Sequence, residues 1–281
     1  AKAMVDDCLV GRFPVDSING MHNMPGLETV SIAVGPGPRM AAADNFEIKI
    51  KSDDSPVTIA DESADMIIYS GLKEAFPGVP IVTEEQANTH SEKADTFFIV
   101  DPLDGTKEFI HRRGDFTVNI AFVSKGIPII GVVYAPAKKR LFYTDKDLKS
   151  VEEFGHHELK EIGKIKYISV SDPNPSQLIV VASKSHRDEA LEKYIEKYNV
   201  ADSRAAGSSL KFCLIAAGEA DLYPRVGRTM EWDTAAGHAI LSGAGGFVVR
   251  YDNHQPLVYG KPLFENPFFI AYSPGVNLQK A

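Results

Sequence analysis

The chain has 281 residues, with 30 Lys and Arg against 38 Asp and Glu, a formal charge of −8. At 44% hydrophobic and 24% charged it has the balance of a globular protein with a sizeable core, and its negative sign argues against scanning of nucleic acid, where affinity rests on neutralised phosphates. Single cores stop growing near roughly 250–300 residues, so one large domain or two packed subdomains both fit this length, and two are the preferred expectation.

Cys8 and Cys213 form no C-x-x-C pair, so neither a disulfide framework nor a structural zinc site is expected, and a reduced cytoplasm fits. The longest apolar stretch, Ile127 to Ala137, is broken by Pro128, Gly131 and Pro136 and is no integral membrane segment. No basic n-region with an apolar h-region marks a secretory signal.

In chain order, Gly35-Pro36-Gly37-Pro38 prohibits a helix through the early part, which carries no sustained 3.6-residue stripe. Thr58 followed by Asp61 resembles a capping box. Ile68, Leu72, Ala75 and Phe76 then give one helical face, ended by Pro77-Gly78. Val79 to Thr83 and Thr96 to Val100 read as strands leading into acidic residues. Phe116 to Ser124, Ile129 to Tyr134 and Leu141 to Thr144 read as an antiparallel meander. Val151 to Lys166 reads as a polar stretch. After it come a strand at Leu178 to Ala182 and a helix from Asp188 to Tyr198. Helix and strand then alternate through Leu210 to Ala217, Asp221 to Pro224, Thr234 to Leu241, Phe247 to Arg250 and Phe268 to Tyr272.

The segment Asp101-Pro102-Leu103-Asp104-Gly105-Thr106 follows the apolar run Phe97 to Val100. Two carboxylates three residues apart at a strand end, beside a glycine that permits close backbone approach, suit a hard cation that takes oxygen ligands. By itself the pattern also suits an Asx-turn. Its company weighs more: Glu84-Glu85 ends a neighbouring strand, and Trp232-Asp233 begins a later helix, where an N-cap would suffice for Asp233 alone. If these acids converge, each like-charged pair about 4 Å apart costs about 4 kcal/mol at an effective dielectric near 20, so they need cations or protons. Oxygen donors favour Mg²⁺ or Mn²⁺ over Zn²⁺.

Asp101 to Phe109 with Gly114 to Ala121, and later Trp232 to Gly237, resemble the two signatures of the inositol monophosphatase superfamily; within it the wording is most similar to the nucleotide-bisphosphate branch. Asp53 to Thr58, Gly207 to Cys213 and Ala220 to Arg225 extend the likeness, which covers Lys51 to the C-terminus. The resemblance implies a layered α/β (α+β) fold, an α/β/α/β/α sandwich, with residues 1–165 forming an α+β domain that holds most metal ligands and 166–281 an α/β domain with the substrate contacts. It implies two or three Mg²⁺ ions, with Mn²⁺ as a substitute and Li⁺ as an inhibitor, held by Glu84, Asp101, the carbonyl of Leu103, Asp104 and Asp233. The nucleophile would be metal-activated water, with Glu84 and Thr106 in the catalytic set and Asp53 as the partner of Thr106 in taking the proton. No covalent enzyme intermediate is then needed.

Substrate contacts implied by the resemblance are Gly105, Thr106, Ser208, Lys211, Arg225 and Asp233, with His186 approaching the adenine. The placement is physically sensible. Lys211 lies one turn into a helix that starts at Gly207-Ser208-Ser209, which gathers N–H groups, hydroxyls and an ammonium around one anion; Arg225 would add a bidentate grip. Cys213 reads as core filling. His111-Arg112-Arg113 reads as a solvated loop or a steering patch, and His156-His157 has no third ligand.

The implied function is Mg²⁺-dependent removal of the 3′-phosphate from adenosine 3′,5′-bisphosphate to give AMP, which in cells using sulfate clears a by-product of sulfonate transfer. Hydrolysis of inositol or sugar phosphates on the same scaffold is the near alternative, and a non-catalytic sensor of nucleotides or cations the remote one. The partner is a small nucleotide, and peripheral association with the inner membrane and the oligomeric state stay open.

Overall fold

The computed structural model describes residues 48–51, 56–91, 94–155, 163–183 and 189–280. The Gly35 to Pro38 segment, Asp53, His156-His157 and His186 lie outside the described residues.

A short ribbon, β1 (Ile48–Ile50) against β2 (Pro56–Thr58), leads into helix α1 (Ile59–Ala75). The helix starts where expected because Thr58 and Asp61 close a capping box: the Thr58 N–H donates to Asp61 Oδ2 at 2.8 Å and the Ala60 N–H to Thr58 Oγ1 at 3.2 Å.

The strands that follow form a seven-stranded sheet in sequence order: β3 (Ile81–Thr83), β4 (Thr96–Asp104), β5 (Thr117–Ser124), β6 (Ile127–Ala135), β7 (Arg140–Thr144), β8 (Ser150–Phe154) and β9 (Lys164–Tyr167). β3 runs parallel to β4, and every later pairing is antiparallel. The meander is as the alternation predicts. The two outermost strands replace the expected polar stretch. Glu152 and Glu153 are buried in β8, where Arg140 pairs with Glu152 and the Gly163 N–H donates to Glu153 at 2.6 Å. Buried carboxylates in a strand defeat an apolar-alternation rule.

The second half builds a five-stranded sheet in the order β11-β10-β12-β14-β13, from β10 (Leu178–Ala182), β11 (Val200–Ala205), β12 (Leu222–Arg225), β13 (Phe247–Arg250) and β14 (Phe269–Tyr272). Helix α2 (Thr106–Ile110) caps β4, α3 (Glu189–Ile195) follows β10, and α4 (Leu210–Ala216) and α5 (Ala235–Gly243) come later. No described helix is long and apolar enough to cross a membrane.

Apolar periodicity assigns the layers. In β4, Phe98 and Val100 face Ala60, Ala64, Ile68 and Leu72 of α1, while Phe97 and Ile99 face the other way. That second face packs on α4 and α5, whose far sides meet Val181, Tyr223, Phe269 and Ala271 of the smaller sheet. Beyond it Val180, Leu222 and Ile270 pack on Leu191, Tyr194 and Ile195 of α3. The order is helix, sheet, helix pair, sheet, helix, the sandwich expected from the resemblance. Every residue of α4 is buried, as a helix between two sheets requires. Cys213 is fully buried among them and burial raises its thiol pKa, in keeping with core filling.

The helix pair sits close on the large sheet because β6 carries Gly131: a Cβ there would lie 2.3 Å from the Ala236 carbonyl oxygen of α5. Gly131→Ala is expected to destabilise the fold by about 1–3 kcal/mol, read as a lowered urea midpoint with an unchanged slope.

Candidate active site

At the end of β4 the register with β5 slips. Asp101 pairs with Asn119 and Asp104 with Thr117, so β4 advances 104 − 101 = 3 residues while β5 advances 119 − 117 = 2. In a regular strand, residues three apart face opposite sides; the extra residue turns both carboxylates toward one side. Pro102 has no N–H to lose there. Asp101 is anchored by the Leu103 N–H at 3.0 Å. Asp104 is held by the Ser209 N–H at 2.7 Å and by Asn119 Nδ2 at 3.3 Å, both on Oδ2.

Asp233 comes from the turn before α5, where the Met230 N–H donates to its Oδ2 at 2.7 Å and the Asp233 N–H returns to the Met230 carbonyl at 3.2 Å. Behind this turn Glu231, fully buried, takes the Gly260 and Lys261 N–H groups at 2.6 and 2.9 Å and the Lys261 ammonium. Glu84 follows β3, with its N–H on the Val100 carbonyl at 3.1 Å.

Burial first, and then neighbouring acids, raise the carboxyl pKa values of Asp101 and Asp233 well above the usual range, the perturbing charges being Glu84, Asp104, Asp233 and Glu85 on Asp101, and Asp104 and Glu84 on Asp233. Asp104 is raised by burial too, with the Lys211 ammonium opposing it. Burial, then Glu84, push Glu85 to about 7. Lys51 partly compensates: its Nζ lies 3.0 Å from Glu84 and 2.7 Å from Glu85. Burial works against that ammonium, but the two carboxylates outweigh it and its pKa is raised. Among the described residues no three acidic, histidine or cysteine side chains are gathered, as they stand, so as to hold a metal ion. The cluster is an acidic wall of anchored oxygens, each anchored through one oxygen of its carboxylate, and such donors suit a hard divalent cation that pulls them together.

Glu84, Asp104, Gly105, Thr106, Ser208, Lys211, Arg225 and Asp233 line one cleft of about 250 Å³. Asp101 and Leu103 are buried behind it. Gly105 is required where it stands: φ is +95°, and a Cβ would come 2.4 Å from Ser208 Oγ. Ser208, itself left-handed at φ +50°, has its hydroxyl on the carbonyls of Asp104 and Asp115 at 2.7 and 2.8 Å. Its one proton therefore serves the backbone that joins the halves and is not held toward the cleft.

Two cations face the acids. Lys211 is almost fully buried, donates to the Ser208 carbonyl at 2.7 Å and lies 5.2 Å from the Tyr223 ring centroid. Burial lowers its pKa to about 8 against the pull of Asp104. Arg225 donates through Nη2 to the Arg228 carbonyl at 3.2 Å, and its Nε is buried with no acceptor in the structure. A buried guanidinium N–H without a partner is costly, and an anion in the cleft would relieve it.

Thr106 has a partner that sequence reasoning missed. Asp53 lies outside the described residues; the Thr106 hydroxyl donates to Asp61 Oδ1 at 2.8 Å, with the Leu103 carbonyl a longer 3.3 Å alternative. Asp61 is 1% exposed, and burial raises its pKa against the hydrogen bonds from Thr58 and Thr106. The same carboxylate thus caps α1 with one oxygen and holds Thr106 with the other. Local sequence announces only the cap; the second bond spans 45 residues and has no local signal.

Residues 27–273 match the model of the inositol monophosphatase family. The 3′(2′),5′-bisphosphate nucleotidases CysQ of Salmonella typhimurium and Escherichia coli K12 are each 42% identical, over 81% and 82% of this chain and 89% and 87% of their own. The crystal structure of CysQ from Bacteroides thetaiotaomicron, titled a bacterial member of that family, superposes with a TM-score of 0.69 at 41% identity, covering 79% of this chain and 86% of that one. The extragenic suppressor protein suhB of Bartonella henselae gives 0.64 at 25% identity, covering 82% and 84%.

Proposed function

The chain belongs to the inositol monophosphatase family, and from that premise we propose that it is a 3′(2′),5′-bisphosphate nucleotidase that hydrolyses the 3′-phosphate of adenosine 3′,5′-bisphosphate to AMP and inorganic phosphate. The observation that carries this reading is a single cleft lined both by the carboxylates Glu84, Asp104 and Asp233 and by Lys211 and Arg225, whose buried Nε has no acceptor. A ligand bearing two phosphates meets both sets of groups: one phosphate at the acids, through cations, and the other at the basic pair.

Glu84, Asp101, Asp104, Asp233 and the Leu103 carbonyl would hold two or three Mg²⁺, or Mn²⁺ in their place. Bound there, such ions lower the pKa of water and neutralise charge building on phosphoryl oxygens. The chain's own part is proton handling and grip. Thr106 Oγ1 passes its proton to Asp61 as it accepts one from the attacking water, so the proton ends on a buried carboxylate whose raised pKa suits a base. The water oxygen joins phosphorus and the bond from phosphorus to the 3′-oxygen breaks; that oxygen takes a proton from solvent water and leaves as the ribose hydroxyl, and the proton held on Asp61 returns to the hydroxide so formed, which restores the carboxylate. Lys211 and Arg225 keep hold of the remaining phosphate. His186 would contribute at the base, and a cytoplasmic location goes with this reading.

Phosphate release should be measured from adenosine 3′,5′-bisphosphate and from inositol 1-phosphate, with Mg²⁺ and with chelator. The bisphosphate is expected to have the higher kcat/KM by at least about 10²-fold, because an ester without a second anion leaves the basic pair unmatched. A higher kcat/KM for the inositol ester overturns the substrate assignment; equal rates in chelator overturn the metal requirement.

A further inference from the structure

Glu84 and Asp233 belong to different halves of the chain, and as partly buried like charges they repel. Each sits on a turn whose own hydrogen bonds fix it locally but say nothing about the distance between the two. A side chain that joins the turns would set it.

The first turn is a loop folded back on its own start. The Thr83 N–H donates to Thr89 Oγ1 at 3.1 Å, the Gln86 N–H to Thr83 Oγ1 at 3.2 Å, and the Thr89 N–H to the Gln86 carbonyl at 2.9 Å. Gln86 Nε2 reaches Asp65 on α1 at 2.6 Å. His90, in the 3₁₀ helix Ala87–Ser91, completes the loop: its Nε2 is 2.7 Å from the Thr83 carbonyl oxygen. A carbonyl only accepts, so Nε2 carries the proton in this bond. Thr83 is the residue immediately before Glu84.

The face of the same ring leaves the loop. It stacks on Trp232, with centroids 4.9 Å apart and planes at 26°, and Phe264 stands edge-on at 6.1 Å. Trp232 is 6% exposed and is enclosed in the turn that the Met230 and Asp233 hydrogen bonds close. It is the residue immediately before Asp233. One imidazole therefore touches the residue preceding each of two acids that come from different halves of the chain.

We propose that His90 is a positioning residue that locks the Glu84 turn to the Asp233 turn, by bonding the Thr83 carbonyl through its edge and stacking on Trp232 through its face. It sets the spacing of the acidic wall and touches neither metal nor substrate. The inference rests on the metal-dependent reading above and goes beyond it, because it assigns Mg²⁺ affinity to a residue outside both sequence signatures.

The test uses His90→Ala, His90→Phe, which keeps a ring face without the N–H, and His90→Gln, which keeps a donor without the ring. The chain has a single tryptophan, so Mg²⁺ binding without substrate is followed in Trp232 emission. The Mg²⁺ dependence of phosphate release is the second readout, and KM at saturating Mg²⁺ the third. His90→Ala is expected to raise the Mg²⁺ half-saturation about 10-fold to 100-fold in both titrations, the range for groups that orient metal ligands. KM at saturating Mg²⁺ stays near the native value, and the Phe and Gln variants each recover part of the loss. If His90 only fills space, all variants bind Mg²⁺ as the native protein does, whatever their stability, and the proposal fails; should the Ala variant not fold, the two conservative ones decide. A native protein that ignores Mg²⁺ in both titrations overturns the metal-dependent reading itself, and the inference with it.

Discussion

Asp61→Asn is expected to lower kcat for phosphate release by about 10²–10⁴-fold, the usual weight of a positioned acid–base group, with KM close to native. Thr106 Oγ1 donates to Asp61 at 2.8 Å, and an amide can still accept that bond but cannot take the proton onward. The cap on α1 also weakens, since Asp61 Oδ2 accepts from the Thr58 N–H, and loss of such a cap costs about 1 kcal/mol. That is small beside the barrier change of about 3–5 kcal/mol that the kcat loss represents, so the two effects separate when kcat is scaled to the folded fraction. Asp53→Asn is the companion measurement. If Asp53 takes the proton, its variant shows the large loss and Asp61→Asn shows the cost of the cap alone.

The second large effect is a coupling between protons and divalent cations. Asp101, Asp104 and Asp233 have raised pKa values, chiefly through burial, and Glu85 is pushed to about 7. A carboxyl raised in the folded state holds its proton where the unfolded chain has lost it. In chelator these groups therefore favour folding at low pH, and that contribution is lost as pH rises through their folded pKa values, which for Glu85 means near 7. Bound Mg²⁺ would replace the protons. Its affinity is expected to rise by about tenfold per pH unit for each proton released, from about pH 5.5 to about pH 8. Titration calorimetry in two buffers of different ionisation enthalpy reads the proton count, and unfolding temperatures with and without Mg²⁺ should diverge as pH rises. An affinity that is flat across this range contradicts the raised pKa values. Lys211 acts in another window and in the opposite direction on stability: lowered to about 8 from 10.5, it penalises the fold while it must stay charged, and the penalty fades as pH rises from about 8 towards 10.5.

Most of the layering was legible because it rests on apolar periodicity. The α1 stripe, the meander and the all-apolar α4 each pack where their pattern demands. The strands that escaped notice lack such a pattern. β9 and β11 are edge strands made mostly of exposed residues, and β8 hides its acids behind Arg140. The acidic wall was legible as well, since Asp101 and Asp104 are close in sequence and Glu84 ends a strand. The partner of Thr106 that we propose takes the proton was not. Asp61 advertises a helix start, and its bond to Thr106 exists only once α1 has packed against the large sheet. Lys51 and His90 were hidden for the same reason: each acquires its partners from distant segments, Lys51 at Glu84 and Glu85, His90 at Trp232.

Gly131 and the buried helix pair have an effect on how ligand gets in. Because α4 and α5 are wedged between both sheets, with the Ala236 carbonyl seated over a residue that has no side chain, the two sheets share one apolar interior. The gap that admits a nucleotide thus has a width fixed at folding. Rotamers and short loops, rather than swinging jaws, must make room for substrate and let the product go.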